Sequence, residues 1–180
     1  MLIISNFLMD KGGFLFPQHA VVRVNVAWIP TTKELIETLK KIAHPVYLDY
    51  PQGRTKPPQP KISLEDTIKV SYQFPQVKYF AISNVEETKE IYKIKKQLPK
   101  NVLLIPKIET KLGIKNLEKI IKKINPPYIM LDKEDLYLDV NRDSELFLSA
   151  INNARAKSKS LGIEILELHG VVFLSHKHQE

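Results

Sequence analysis

The sequence predicts an α/β fold with a mainly parallel sheet, and three observations predict it. From Ala20 onward, apolar runs of strand length alternate with segments of helical periodicity, the order that successive βα units produce. Two consecutive apolar runs, residues 102–105 and 128–131, end abruptly in charge: Lys107 and Glu109 after the first, Asp132, Lys133, Glu134 and Asp135 after the second. Parallel α/β sheets put their sites at the C-terminal ends of strands, so charge at those two places is a topological signal as well as a chemical one. The length of 180 residues, with 43% hydrophobic and 26% charged residues, fits one soluble globular domain, residues 1–180, large enough for a real core.

The β-branched Val21, Val22, Val24 and Val26 predict a strand over residues 20–26. Arg23 and Asn25 interrupt it at period two, so both face the same side. Residues 2–4 and 13–16 are apolar enough for short strands, with Gly12-Gly13 as a turn between them. Thr31 and Glu34 form a capping box that opens a helix over residues 31–43, with Leu35, Ile36, Leu39 and Ile42 on one face. A strand over 46–48 ends in Asp49-Tyr50. Four prolines and one glycine make residues 51–60 a stiff surface loop.

Ser63 and Asp66 cap the next helix, to about residue 74, and residues 77–82 read as a strand. Asn84 is expected to open a lysine-rich helix that Pro99 ends. The strand over 102–107 leads to a helix over 114–124, stopped by Asn125-Pro126-Pro127, and then to the strand over 128–131. Asp143 or Ser144 caps a long helix with Gly162 as its stop signal. Residues 163–168 form a sixth strand, 171–174 extend it or add another, and 176–180 read as a frayed tail.

Composition narrows the function. The formal net charge is +7, from 27 Lys and Arg against 20 Asp and Glu. The lysines are spread along helices with no Arg-rich tract and no interleaved aromatics, so a small anionic partner, or only a lysine-rich solvated surface, is expected ahead of nucleic acid. The absence of cysteine excludes disulfides and thiolate-bound metals. Residues 1–4 are too short an apolar stretch for a signal peptide or membrane span, so a cytoplasmic protein with no membrane partner is expected. No Gly-rich phosphate loop, dinucleotide fingerprint or Ser-His-Asp arrangement is present, and no repeat of 20–50 residues.

The candidate chemistry lies at the strand ends. Glu109 and Asp135, from adjacent strands, can converge on one hard cation, and Mg²⁺ or Mn²⁺ takes such oxygen ligands, completing its shell with substrate and water. Lys107 offers an ammonium for a developing negative charge or, alternatively, a Schiff-base nucleophile. The planar fork of Arg23 suits a carboxylate or phosphate; its alternative is an ion pair with Asp49 inside the sheet. Asn25 and Asp49 are candidate substrate contacts. Trp28 belongs either at the pocket mouth or in the core. His169 is a candidate acid or base, while His176 and His178 have metal-ligand spacing within the tail.

These residues also carry a resemblance. Lys107-Ile108-Glu109, followed by Gly113 and an apolar-patterned helix, resembles the Lys-Ile-Glu segment of pyruvate kinase. Asp135-Leu136 after Ile129-Met130 resembles that family's next strand end, and Arg23-x-Asn25 its Arg-Leu-Asn. Leu48-Asp49 followed by Gly53-Arg54-Thr55 resembles a further segment with a deletion. The resemblance implies a small TIM-type (β/α) barrel, complete or short of a strand or helix. It implies a catalytic Lys107, divalent-metal ligands Glu109 and Asp135, and an Arg23 that holds the substrate's anionic group. It extends to the wider phosphoenolpyruvate/pyruvate superfamily, which includes citrate lyase β-subunits and 2-keto sugar acid aldolases; Glu134-Asp135-Leu136 with Asp139 is closer to the lyase form.

Four departures matter. Ala27 stands where the kinase has Ser. Asp132, Lys133 and Glu134 replace a small Gly-containing turn. No Thr matches the one after the family's seventh strand. The chain runs straight on to Ser63 where the kinase inserts a lid domain. The expected activity is therefore metal-dependent stabilisation of the enolate of a pyruvate-type 2-oxo acid, or binding of a phosphoenolpyruvate-like anion, with lyase or aldolase chemistry ahead of phosphoryl transfer. A catalytically inactive barrel kept for binding or regulation is the alternative, and a basic nucleic-acid-binding domain a third class that rests on net charge alone. An incomplete barrel has unpaired edges, so a homo-oligomer is expected.

Overall fold

The computed structural model describes residues 1–8, 17–53 and 57–167. Among these residues seven strands form one sheet in strict chain order: β1 (Ile3–Ser5), β2 (Val21–Asn25), β3 (Val46–Tyr50), β4 (Val77–Ile82), β5 (Leu103–Ile108), β6 (Tyr128–Leu131) and β7 (Glu164–Leu166). Every pairing is parallel. Among the described residues six helices accompany them: α1 (Thr32–Lys40), α2 (Leu64–Gln73), α3 (Thr88–Gln97), α4 (Lys111–Ile124), α5 (Lys133–Asp139) and α6 (Ser144–Ser160). The turn at Gly12-Gly13, the strand over 13–16, Arg54 and Thr55, residues 171–174, and His169, His176 and His178 lie outside the described residues.

Local chemistry sets the helix ends. Thr31, Ser63 and Thr110 each accept a hydrogen bond from the backbone N–H three residues on, supplying a partner for a donor the first turn leaves unmet. Of the two candidates at the start of α6 it is Asp143 that caps, accepting from the N–H groups of Glu145 and Leu146. Asn125 ends α4 in the left-handed region, and Gly162 follows α6 with φ +67°. Two expectations fail here. Asn84 opens no helix: its φ is +52° and α3 begins only at Thr88. α5 was not expected at all, because its seven residues are too few for helical periodicity to register.

The sheet has two cores. Its convex face packs on the helices: Leu35 and Leu39 of α1, Ile91 and Ile94 of α3, and Leu117, Ile120, Ile121 and Ile124 of α4 meet Val22, Val24, Leu48, Phe80 and Ile108. Gly113 lets α4 approach the residues after β4 closely, since a Cβ there would stand 2.8 Å from the Val85 carbonyl oxygen. The second core is smaller and lies on the concave face, where Val21, Tyr47, Ala81, Ile105, Met130 and Leu166 each come from a different strand. Tyr47 Oη lies 3.7 Å from Met130 Sδ, although β4 and β5 separate their strands. In a flat sheet three strand spacings would hold those side chains about 14 Å apart. The sheet is therefore curled into a half-barrel, consistent with a partial TIM-type barrel. Among the described residues β1 and β7 are its two edges.

Candidate active site

Period two carries each inward-facing strand from an apolar base to a polar top. Val21 is followed by Arg23 and Asn25 on β2, Tyr47 by Asp49 on β3, Ala81 by Ser83 after β4, Ile105 by Lys107 on β5 and Glu109 just after it, and Met130 by Asp132 after β6. The parallel register puts Asn25 opposite Asp49, but Asp49 opposite Ala81 and Lys107 opposite Met130, so the polar tops step along the sheet with the stagger a curled sheet requires. The apolar residues fill the curl. The polar ones line a cleft of about 520 Å³ at the C-terminal ends of the strands.

The floor of that cleft is a chain of ion pairs. Arg23 donates from Nε and Nη2 to Asp49 Oδ2, at 2.8 and 2.5 Å. Lys107 Nζ stands 3.5 Å from Asp49 Oδ1 and 2.9 Å from Glu109 Oε1, and donates to Ser83 Oγ at 3.0 Å. Asp49, Lys107 and Glu109 are all buried, at 1%, 5% and 2% exposure. Glu109 Oε2 accepts from the backbone N–H of Asn84 at 2.8 Å, which explains why Asn84 bends away from helical geometry rather than starting α3. Its side chain meanwhile donates to the Gln52 carbonyl and holds the β3 loop beside the cleft.

Burial works against the charge of Lys107, yet Asp49 and Glu109 outweigh it and hold the ammonium pKa above the ordinary lysine value. Arg23 is likewise held charged, by Asp49 against its own burial. Burial raises Glu109 above the ordinary carboxylate range, although Lys107 and the Asn84 N–H pull it down. Two oxygens on the floor are incompletely served. Asp49 Oδ1 and Glu109 Oε1 are buried with no aligned hydrogen bond. The 2.9 Å contact to Lys107 gives Glu109 Oε1 charge compensation without an aligned donor, so a lone pair stays open there.

Glu109, Asp132 and Asp135 each offer an oxygen, and the three lie within 4.8 Å of one another. All-carboxylate donors suit a hard divalent cation. The buried Glu109 Oε1 without an aligned donor is an independent sign that the set fits one. Asp135 sits in the first turn of α5, whose N-cap is Asp132: Asp132 Oδ1 accepts from the Asp135 N–H at 3.3 Å. Sequence reasoning paired Glu109 with Asp135 and missed Asp132 and Ser83. The period-two count that put Arg23 and Asn25 on one face would have found both, since each continues the inward face of its strand by one step.

Asn25 lines the cleft while its Oδ1 accepts from the Ala27 N–H, capping a 3-10 turn over Val26–Trp28. Trp28 does not join the core. It is 57% exposed, edge-on to Phe7 with ring centroids 6.5 Å apart, and lines a separate cleft that also touches Asn25. Among the described residues no helix is long and apolar enough to cross a membrane.

No protein-family model and no curated protein matches the sequence. Solved structures do match in fold. An HpcH/HpaI aldolase/citrate lyase family protein from Burkholderia cenocepacia aligns with a TM-score of 0.66 at 11% identity over 92% of this chain and 77% of that one. The citrate synthase SbnG aligns with a TM-score of 0.65 at 11% identity, over 93% and 77% of the two chains. Macrophomate synthase gives 0.63 at 15% identity, over 91% and 67%. The chain therefore shares its α/β half-barrel with proteins of these kinds, and at such identities what is shared is the fold.

Proposed function

We propose that the chain is a divalent-metal-dependent enzyme of the phosphoenolpyruvate/pyruvate superfamily that stabilises the enolate of a pyruvate-type 2-oxo acid, with lyase or aldolase chemistry. The observation that carries this reading is the grouping of Glu109, Asp132 and Asp135 within 4.8 Å beside the cations Arg23 and Lys107 at the strand ends. The fold likeness to an aldolase/citrate lyase family protein supports the same class.

In this reading Glu109, Asp132 and Asp135 hold Mg²⁺ or Mn²⁺. The cation supplies Lewis-acid stabilisation of the charge that develops on a 2-oxo acid. Arg23 binds the substrate carboxylate through its remaining guanidinium donors, with Asp49 fixing its plane. Asn25 and Asp49 border the substrate. Lys107 stays an ammonium between two carboxylates, which removes the lone pair a Schiff base needs and favours its role as a fixed positive charge near the reacting oxygen. Ala27 provides no hydroxyl for phosphoryl chemistry, so carbon–carbon cleavage or condensation is preferred over kinase activity.

The inactive-barrel reading has one observation in its favour: Arg23 and Lys107 are already satisfied by Asp49 and Glu109. Calorimetry with Mn²⁺ and oxalate, an enolate mimic, separates the two. Metal-dependent oxalate binding that is lost in Glu109→Gln and Asp135→Asn supports the enzyme. No Mn²⁺ binding at millimolar concentration leaves the scaffold reading. A thermal shift provides the second readout, since a ligand of the folded state alone raises its stability.

A further inference from the structure

Residues 88–124 contain eleven lysines against three glutamates, a net +8, while the whole chain carries +7. The excess positive charge of the protein thus belongs entirely to α3, α4 and the strand between them. Lys107 and Glu109 from that stretch cancel each other inside the cleft. The remainder lies outside, because α3 buries Ile91 and Ile94, and α4 buries Ile114, Leu117, Ile120, Ile121 and Ile124, while their polar faces turn outward.

α3 and α4 are packed neighbours, so lysines that the sequence spaces along two helices become one face. Lys93, Lys95, Lys96, Lys115, Lys119 and Lys123 on it are all exposed. Tyr92 joins the helices: Lys96 Nζ lies 4.7 Å and Lys123 Nζ 4.4 Å from its ring centroid. Two ammoniums are drawn to one ring, and no carboxylate ion pair to either is seen among the described residues. Among the described residues only Lys122 on this face has a carboxylate partner, Glu118 at 2.6 Å. Cations near helix C-termini are favoured by the helix dipole, which accounts for Lys95 on the Ile124 carbonyl and for Lys122 and Lys123. It does not account for Lys93, Lys115 or Lys119 in the helix middles. α1 and α2 instead pair lysines with acids on their own surfaces, Lys40 with Glu37 and Lys69 with Glu65.

We propose that the α3–α4 face binds the phosphate backbone of nucleic acid, without sequence preference. A uniform field of ammoniums suits a polyphosphate partner through counterion release. The face has no arginine to fork onto guanine edges, so its contacts are to backbone rather than to bases. This reverses the partner expected from the sequence, where the lysines looked dispersed because the helices had not yet been set side by side. It is independent of the cleft, since these lysines line the outside of the sheet and the cleft its inner top.

Fluorescence anisotropy of a labelled 20-base-pair duplex tests it, using the full chain across a salt series. The expected result is binding that persists at physiological salt and weakens log-linearly as salt rises. Exchanging Lys93, Lys96, Lys119 and Lys123 for glutamine should lower the slope by about 0.9 for each phosphate contact removed. A control variant with Lys33, Lys40, Lys41 and Lys69 exchanged for glutamine has the same net charge and should bind as the native protein does. Equal loss in both variants overturns the proposal, because net charge alone would then explain binding. So does the absence of binding at physiological salt, or binding only to anionic vesicles. A native circular dichroism spectrum and melting transition establish that each variant is folded.

Discussion

Lys107, near the end of β5, and Glu109, just beyond it, pair at 2.9 Å, while Lys107 also stands 3.5 Å from Asp49 on β3. One buried ammonium therefore compensates two buried carboxylates. Replacing it with methionine keeps the volume, leaves Glu109 without a cation and leaves Asp49 with Arg23 alone. Lys107→Met should lose about 3–5 kcal/mol of stability, the usual result of removing one partner of a buried pair. Mn²⁺ should restore part of it by supplying positive charge at Glu109. Urea denaturation with and without Mn²⁺ measures both effects; a variant as stable as the native protein without metal would show that Lys107 is not what holds the acids.

Glu109 gives the stability a pH dependence of unusual sign. Burial raises its pKa, so the folded state binds this proton more tightly than the unfolded chain does. Its contribution is present below the ordinary glutamate value of 4.5 and is lost as pH rises through the raised value. Lys107, also raised, contributes stability below the ordinary lysine value of 10.5 that disappears only as pH climbs through its higher folded value. Denaturation midpoints for the metal-free protein and Glu109→Gln should diverge on the acid side, with the native protein losing ground as pH rises from 4.5. Parallel profiles would remove Glu109 as the cause.

Asp132 has two separable jobs, capping α5 and offering an oxygen to the carboxylate group. Asparagine caps a helix as well as aspartate does but donates no charge to a cation. Asp132→Asn should keep the melting temperature within a degree or two while weakening Mn²⁺ by roughly tenfold or more, as loss of a metal ligand does. Asp132→Ala should lose the cap as well, about 1 kcal/mol. Unchanged Mn²⁺ affinity in the asparagine variant would reduce Asp132 to a cap.

Among the described residues β1 and β7 are the edges of the sheet, and an edge strand is a template for further pairing. We propose that a second copy covers these edges, giving a homo-oligomer. Sedimentation velocity at micromolar concentration should show a species heavier than the 20.8 kDa chain; a clean monomer there would count against it.

Much was written locally. The valines of β2 and the helix caps at Thr31, Ser63 and Asp143 depend on neighbours a few residues away, and these elements lie where the sequence predicted them. α4 reached back to Lys111, because Thr110 caps it through a hydroxyl that sequence patterning overlooked. The alternation of strand and helix fixed the parallel sheet, and period two put Arg23 with Asn25 and Lys107 with Glu109. Only the tertiary structure decided what those residues meet. The curl that brings Tyr47 to Met130 also brings Asp49 between Arg23 and Lys107, a meeting of three strands that no local pattern encodes. It joined Asp132 to the acids, turned Trp28 out of the core and made one basic face of two helices. Sequence determines which face and which end of an element carries a charge; the distance between charges on different elements follows from packing of the whole chain.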